Sequence, residues 1–234
     1  MRWDDGAGMI KITSVVGPTA TGSTHSKERI NMKKIVIGVS GASGTIYALS
    51  LLAALHAEPD VETHLVMSKW ARENLSVEGT GYTLTDVEQL ADYTYNPNDM
   101  GATIASGSFM HDGMVIVPAS MKTIAAVATG LGDNLIARAA DVTLKERRQL
   151  IVVPRESPFN QIHLENMLKL SRMGVEIIPP IPAFYNRPKT IDDLINHNTM
   201  KLLDHLHIRN DAGDRWQGLA AAKQAAKKEA QNRD

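Results

Sequence analysis

The chain has 234 residues, of which 43% are hydrophobic and 22% charged, enough for one globular domain with a substantial core. Its formal net charge of -1 offers no basic field for nucleic acid, and no apolar run approaches the roughly 20 residues that span a bilayer. The absence of cysteine excludes disulfides, thiolate metal sites and a thiol nucleophile. Because the N-terminus lacks the apolar segment of a secretory signal, we expect a cytoplasmic protein.

The first 31 residues differ from the rest of the chain. They carry Gly, Thr, Ser and scattered charge without periodicity, and Met32 stands directly before the first predicted strand. Residues 1–31 are therefore interpreted as a disordered leader, a cloning remnant or an over-called start. Residues 32–218 are predicted to form the folded domain, and the Ala/Lys-rich residues 219–234 a flexible tail.

The segment KKIVIGVSGASGTIYALS (33–50) reads as a buried strand, a tight glycine turn and the start of a helix. The turn amides and the positive end of the helix dipole point at one spot, which suits a phosphate. The hydroxyls of Ser40 and Ser43 could add donors. The glycine spacing is neither that of a dinucleotide fold nor that of a P-loop, which favours a smaller cofactor such as a mononucleotide flavin. The alternative is a helix start without a ligand.

Strands and helices alternate along the rest of the chain. The apolar runs predict strands at 34–39, 62–67, 114–117, 150–153 and 175–178. Helices are predicted at 45–56, 69–77, 123–128, 133–145, 161–173 and 191–206, with Gly174 and Thr190 as end signals. Thr85 and Glu88 predict the capping box of a short helix, and residues 92–110 are predicted to be irregular. This alternation is typical of a Rossmann-like (flavodoxin-like) three-layer α/β fold with a mainly parallel sheet.

Polar turns follow the predicted strands. Since ligands of such folds bind beyond the carboxyl ends of the strands, these turns predict one shared site. They comprise the residues at 40–43, 68–70, 120–123 and 155–156, followed after several prolines by Tyr185 and Arg187.

Arg138 and Lys145 are seven residues apart, so they lie on one helix face, with Asp141 between them in a position to pair with both. The pattern alone favours a solvated face with ion pairs. The functional alternative is a second phosphate site at a subunit contact. None of the eight histidines has a metal-ligand spacing with carboxylates, so no metal site is expected.

Seven ordered motifs resemble those of the UbiX/Pad-type flavin prenyltransferases, and the resemblance runs from about residue 33 to 218. They are GVSGASG (38–44), ETHLVMS (62–68), PASMKT (118–123), RAADV (138–142), LKER (144–147), PRE (154–156) and PPIPAFY (179–185). The segment HLENML (163–168) is similar to the branch that accompanies hydroxyarylic or phenylacrylic acid decarboxylases.

The resemblance implies a flavoprotein domain at 32–218 that binds FMN. It implies transfer of a dimethylallyl group from dimethylallyl phosphate to N5 and C6 of reduced FMN. The prenylated FMN would go to a partner decarboxylase for aromatic or α,β-unsaturated acids. A dodecamer with the site at subunit contacts is also implied.

Site residues carry over by the same resemblance. FMN contacts would be Gly41, Ala42, Ser43, Ser68, Ser120, Met121, Lys122, Thr123 and Arg155. The prenyl-phosphate site would comprise Ser106, Gly107, Arg138, Lys145, Glu156, Tyr185 and Lys201, with Arg138, Lys145, Glu156 and Tyr185 as catalytic residues. Two positions differ from the residues that many relatives have. Ala119 stands where many have Cys. Lys201 stands where many have Arg, so a single ammonium charge replaces a guanidinium that can donate two parallel hydrogen bonds to a phosphate.

Two rival functions remain open at this point. One is an FMN-binding decarboxylase subunit that acts directly on phenolic acids, and the other is an FMN carrier without chemistry of its own. The discriminating feature is the set formed by Arg138, Lys145, Glu156 and Tyr185, which simple flavin binding does not need.

Overall fold

Six parallel strands form one sheet in the computed structural model, which describes residues 32–213, 215–220, 223–224 and 231. The chain divides into two compact units, 1–180 and 181–234. The strands, all in the first unit, are β1 (Lys33–Val39), β2 (Val61–Met67), β3 (Tyr93–Tyr95), β4 (Gly113–Ala119), β5 (Gln149–Pro154) and β6 (Glu176–Ile177). Their order is β3-β2-β1-β4-β5-β6.

Six helices connect these strands. They are α1 (Thr45–His56), α2 (Lys69–Val77), α3 (Leu84–Gln89), α4 (Met121–Thr129), α5 (Leu135–Lys145) and α6 (Gln161–Arg172), and a short 3-10 helix spans Thr103–Ala105. The central strands β1 and β4 are buried almost throughout, as expected for a parallel sheet covered on both faces. One face packs the side chains of Val36, Met114 and Ile116 against Leu135 and Ile136 of α5.

The second unit contains α7 (Ile191–His205). Thr190 caps this helix by accepting a hydrogen bond from the Asp193 amide, and the Asp193 carboxylate completes the capping box. The buried face of α7 includes Ile195, His197, Leu202 and Leu203.

Two local predictions need correction. The stretch predicted to be irregular contains β3, whose three residues pair with β2 at the sheet edge. The short helix α3 is capped by Thr83 with Asp86 rather than by Thr85 with Glu88, because the Thr83 hydroxyl accepts from the Asp86 amide. The predicted leader at 1–31, and most of the predicted tail at 219–234, lie outside the described residues. Within the described part of the chain, every helix is too short or too polar to cross a membrane.

Candidate active site

The sheet order creates a crevice between β1 and β4. The chain passes from β1 to β2 on one side, whereas β4 lies on the other side of β1, so the carboxyl ends of these two strands flank a topological switch point. The turns after β1 and β4 therefore meet at one rim of the sheet, as predicted.

Ser40 joins the two turns. Its hydroxyl donates to the Pro118 carbonyl at 2.9 Å and accepts from the Ser120 amide at 2.7 Å, and the residue is 1% exposed. Because its only donor is used inside the protein, the Ser40 hydroxyl holds the rim together and does not supply the ligand donor that the sequence suggested.

Gly41 lies against the second turn of the rim, at the start of α2. A Cβ added to Gly41 would lie 2.5 Å from the Cβ of Trp70, closer than real side chains approach. Only glycine fits here, and the rest of the Trp70 side chain remains 68% exposed. The predicted FMN residue Gly41 thus lets the β1 turn pass directly beside α2.

The start of α1 is occupied by a carboxylate from the protein itself. Glu78, at the end of α2, accepts from the amides of Gly44 and Thr45 at 2.7 and 2.8 Å, and from the Thr45 hydroxyl at 2.6 Å. Burial alone would raise the pKa of this carboxyl, but hydrogen bonds from Thr45, Gly44 and Ser43 outweigh it and lower the pKa. In this structure the Glu78 carboxylate therefore accepts from two of the turn amides that the sequence suggested for a phosphate.

Glu78 was missed in the sequence because no local signal marks it. It lies 33 residues after Thr45, and only the packing of α2 beside α1 brings the two together. Through the Ser43 side chain, the same carboxylate reaches a predicted FMN residue.

Three hydroxyls stand at helix starts on the rim. Ser68 caps α2 by accepting from the Ala71 amide at 3.1 Å. Ser120 caps α4 by accepting from the Thr123 amide at 3.3 Å, and its hydroxyl lies 3.1 Å from that of Thr123. One hydroxyl of this pair donates to the other, which leaves the second proton free to face a polar ligand.

Arg155 connects the end of β5 to the β1 turn. Its Nε donates to the Ser43 carbonyl at 3.1 Å, while its amide donates to the Ala119 carbonyl at 3.2 Å. The guanidinium is exposed and retains its terminal N–H groups for a ligand. Two predicted FMN residues from different turns, Arg155 and Ser43, are thus brought together.

The positions of the other predicted FMN residues give less information about a ligand. Ala42 is buried beneath the turn, and Met121 packs partly against the core. Lys122 is 80% exposed, with its ammonium 4.0 Å from Asp133, so its side chain is held on the side of the loop before α5.

A cationic group forms between α5 and the loop after the 3-10 helix. The Nε of Arg138 donates to the Ala105 carbonyl at 3.2 Å, and its Nη1 donates to Asp141 at 2.8 Å. A Cβ added to Gly107 would lie closest to the Glu146 carboxylate and 2.6 Å from the Lys145 ammonium. The structure therefore places Gly107 beside Lys145, and places Arg138 on the carbonyl of Ala105, the residue before Ser106.

Asp141 does not pair with both cations as expected. Lys145 instead forms an ion pair with the neighbouring Glu146, and this contact lowers the pKa of the Glu146 carboxyl. Arg138 and Lys145 are each partly exposed, at 37% and 48% of their side chains. Both charges are therefore accessible to an anion.

Glu156 follows Arg155 and is exposed. Its carboxylate accepts from the Ser157 amide at 2.9 Å. Among the described residues, no hydrogen bond or ion pair joins Glu156 to Arg138 or Lys145, so the structure does not assemble the predicted catalytic set directly.

The remaining predicted substrate residues belong to the second unit. The Tyr185 hydroxyl lies 3.3 Å from Nε2 of His197, and the Tyr185 ring meets Trp216 edge to face at 5.6 Å. Lys201 is exposed on α7, one turn after His197.

Known proteins identify the family. A family described as Flavoprotein matches residues 23–202. The flavin prenyltransferase LpdB of Lactiplantibacillus plantarum is 64% identical over 187 residues, which cover 80% of this chain and 100% of the relative. The chain belongs to the flavin prenyltransferase family.

Solved structures of this flavin prenyltransferase family share the fold of this chain. A dodecameric FMN-dependent UbiX-like decarboxylase from Escherichia coli O157:H7 gives a TM-score of 0.78 at 52% identity, over 79% of this chain and 100% of the other. AnUbiX (PadA1), in complex with FMN and dimethylallyl pyrophosphate, gives a TM-score of 0.79 at 47% identity, over 81% of this chain and 100% of the other. The predicted family and fold class are confirmed, and the sheet is parallel throughout its six strands.

Proposed function

We propose that this chain transfers a dimethylallyl group from dimethylallyl phosphate to N5 and C6 of reduced FMN. The family membership supports this function, since the relative LpdB is a flavin prenyltransferase. The observation that carries it is the pair of cations along this loop, Arg138 at the Ala105 carbonyl and Lys145 at Gly107, which simple flavin binding does not need.

FMN would bind at the rim between β1 and β4. Ser68, Ser120 and Thr123 offer hydroxyls there, and Arg155 offers guanidinium donors aligned by its bond to Ser43. When bound and reduced, FMN supplies the nucleophilic ring atoms. Gly41, Ala42, Ser43, Met121 and Lys122 are proposed to complete this site on the strength of the resemblance.

The cations would act on the substrate phosphate. Departure of an allylic phosphate concentrates negative charge on its oxygens, which fixed cations stabilise in the transition state. Arg138 uses Nε and Nη1 within the protein, which leaves Nη2 to donate to a phosphate oxygen. Lys145 adds a point charge beside Gly107, and Ser106 is proposed as a further contact of the phosphate. Tyr185 and Lys201 of the second unit are also proposed to contact the phosphate.

Glu156 is proposed as the acid and base of the reaction. Its carboxyl would donate a proton to the departing phosphate. Glu156, or the released phosphate itself, would then accept the proton from C6.

Mass spectrometry tests the function and the role of Glu156. Protein, reduced FMN and dimethylallyl phosphate should yield a flavin heavier by one prenyl unit. The Glu156→Gln variant should bind FMN normally yet lose about 100-fold or more in transfer rate, since one positioned acid–base group contributes ~10²–10⁴. Glu165→Gln, which changes an exposed carboxylate bonded to Gln161, is the matched control. Full activity of Glu156→Gln would refute the acid and base role proposed for Glu156.

A second candidate is direct decarboxylation. It is favoured by one similar structure, which is named an FMN-dependent UbiX-like decarboxylase. Carbon dioxide release from 4-hydroxybenzoate by this chain alone, together with an unmodified flavin, would select it over prenyl transfer. A flavin that copurifies and stays unmodified without any release of carbon dioxide would indicate an FMN carrier.

The wider setting is proposed from the same family. One similar structure is dodecameric, and we propose a dodecamer for this chain. We propose residues 32–218 as the FMN-binding domain, and a partner decarboxylase in the cytoplasm as the recipient of prenylated FMN. A variant that begins at Met32 should retain transfer activity in the mass-spectrometric assay.

A further inference from the structure

His197 is a buried histidine of α7 to which the resemblance assigns no role. It is 6% exposed, and its Nε2 lies 3.3 Å from the Tyr185 hydroxyl. The two rings meet edge to face, with centroids 5.5 Å apart and an angle of 82° between their planes. Tyr185 itself is 46% exposed, so the contact joins a buried ring to a residue that a ligand can reach.

The other ring nitrogen of His197 indicates where its proton lies. Nδ1 is buried and has no hydrogen-bond partner among the described residues. Native structures leave a buried N–H unpaired less readily than a buried acceptor, so the proton is assigned to Nε2. In that tautomer Nε2–H donates to the Tyr185 oxygen, and the Tyr185 proton is free to point away from the protein.

The surroundings keep the ring neutral. Burial lowers the pKa of His197, and the charge of Lys201, one helical turn later on the same face, lowers it further. The loop at Gly213 packs over the backbone of His197, where an added Cβ would lie 3.5 Å from its Cα. Tyr185 and Lys201, the two predicted phosphate contacts of this unit, thus flank one neutral histidine.

We infer that His197 is a positioning residue of the substrate site: its Nε2–H fixes the Tyr185 hydroxyl so that the hydroxyl donates to the phosphate of dimethylallyl phosphate. The inference rests on the proposed function, and it adds a residue that does not touch the substrate. It acts by orienting a donor before the substrate arrives, which reduces the ordering cost of binding.

Steady-state kinetics of the full chain test the inference. His197→Phe keeps a ring of similar size but has no N–H, and the KM for dimethylallyl phosphate should rise about tenfold with kcat changed less than threefold. His197→Gln places an amide N–H near the position of Nε2, and its KM should return to within about threefold of wild type. Asn198→Leu is the matched control, because Asn198 is the neighbouring residue and is similarly buried at 7%. Its KM should stay at the wild-type value.

A double-mutant cycle separates positioning from packing. In a Tyr185→Phe background no hydroxyl remains to be oriented, so adding His197→Phe should not raise KM again. A further tenfold rise there, or a rise in Asn198→Leu equal to that in His197→Phe, would overturn the inference. If His197→Phe does not bind FMN and therefore has not folded, His197→Leu replaces it in the same cycle.

Failure of the proposed function gives a different result. A wild-type protein that leaves the flavin unmodified would refute prenyl transfer. Calorimetric binding of dimethylallyl phosphate to the FMN-loaded variants would then still test His197, with a weaker Kd in His197→Phe supporting its role and an unchanged Kd refuting it.

Discussion

At the scale of single residues, the rim depends on positions where one atom more would not fit. Gly41 faces the Cβ of Trp70, and Gly107 faces the Lys145 ammonium. The two cases differ, because the Trp70 Cβ is fixed to its backbone whereas the end of the Lys145 side chain can move. A substitution at Gly41 must therefore move the backbone of one of two adjacent turns.

Gly41→Ala should destabilise the protein by about 1–3 kcal/mol, the usual cost of overpacking a close contact. It should also weaken FMN binding, because the shift moves the turn that contains Ser43. Urea unfolding and a flavin fluorescence titration would measure the two effects. Gly101→Ala is the control, since its added Cβ would meet only the Asp99 side chain at 3.4 Å. Equal effects of both substitutions would contradict the explanation.

At the scale of elements, α1 is held by its neighbour rather than by its own cap. Gly44 at the N-cap makes no side-chain cap bond, and Glu78 of α2 supplies the acceptor instead. The α1–α2 pair thus behaves as one unit, with a single carboxylate joining the start of one helix to the end of the other.

Glu78→Gln should destabilise the protein by about 1–3 kcal/mol, because hydrogen bonds to a charged acceptor and the dipole interaction are both weakened. Glu73→Gln, at an exposed position of the same helix, should stay within about 0.5 kcal/mol of wild type. Because the folded pKa of Glu78 is lowered, its stabilisation is complete above pH 4.5 and is lost as pH falls further. The difference in the free energy of unfolding between wild type and Glu78→Gln should therefore become smaller as the pH is lowered below 4.5. A difference that does not change with pH would contradict this role of Glu78.

At the scale of the whole molecule, two buried histidines make stability depend on pH. His64 lies between Tyr95 and Glu62, and His111 bonds the Gly113 carbonyl. Burial lowers the pKa of both, and for His111, where the charge of Arg148 adds to burial, it falls from 6.5 to about 4. Both histidines are therefore neutral in the folded state at neutral pH.

The free energy of unfolding should fall as pH is lowered from 6.5 toward 4. In that window the unfolded His111 binds a proton that the folded one does not, so stability rises with pH by up to about 1.4 kcal/mol per unit for this group. His111→Gln should reduce the slope measured by urea unfolding between pH 7 and 4.5. His56→Gln, at the exposed end of α1, should leave it unchanged. An unaltered slope in His111→Gln would refute the assignment.

The proposed dodecamer has a candidate contact on α6. Leu164 and Leu168 lie one turn apart on the same face and are 54% and 51% exposed, while Leu170 is fully buried. Neighbouring exposed leucines on one helix face suit an interaction surface.

Leu168→Glu should therefore lower the mass of the assembly, because a charge would be buried at the contact. Mass photometry at micromolar concentration measures this. Val77→Glu is the control, since Val77 is an apolar residue of α2 that is 83% exposed. An unchanged mass for Leu168→Glu would place the contact elsewhere.

The sequence by itself determined most elements of this protein and indicated which polar turns follow its strands. The bounds of α1 and α2 match the prediction, because helical periodicity and caps such as Ser68 act within a few residues. The order of strands and turns also identified the family, since those motifs are local. The sequence did not show which polar groups would bond to each other in the folded protein.

Only the tertiary structure decided which groups meet. The three residues of β3 become a strand because β2 offers them an edge, and Glu78 takes the α1 amides across 33 residues of chain. The Ser40 hydroxyl bonds the Pro118 carbonyl, 78 residues away. Such choices depend on strand order and helix packing, because a polar group bonds whichever partner the fold brings within about 3 Å.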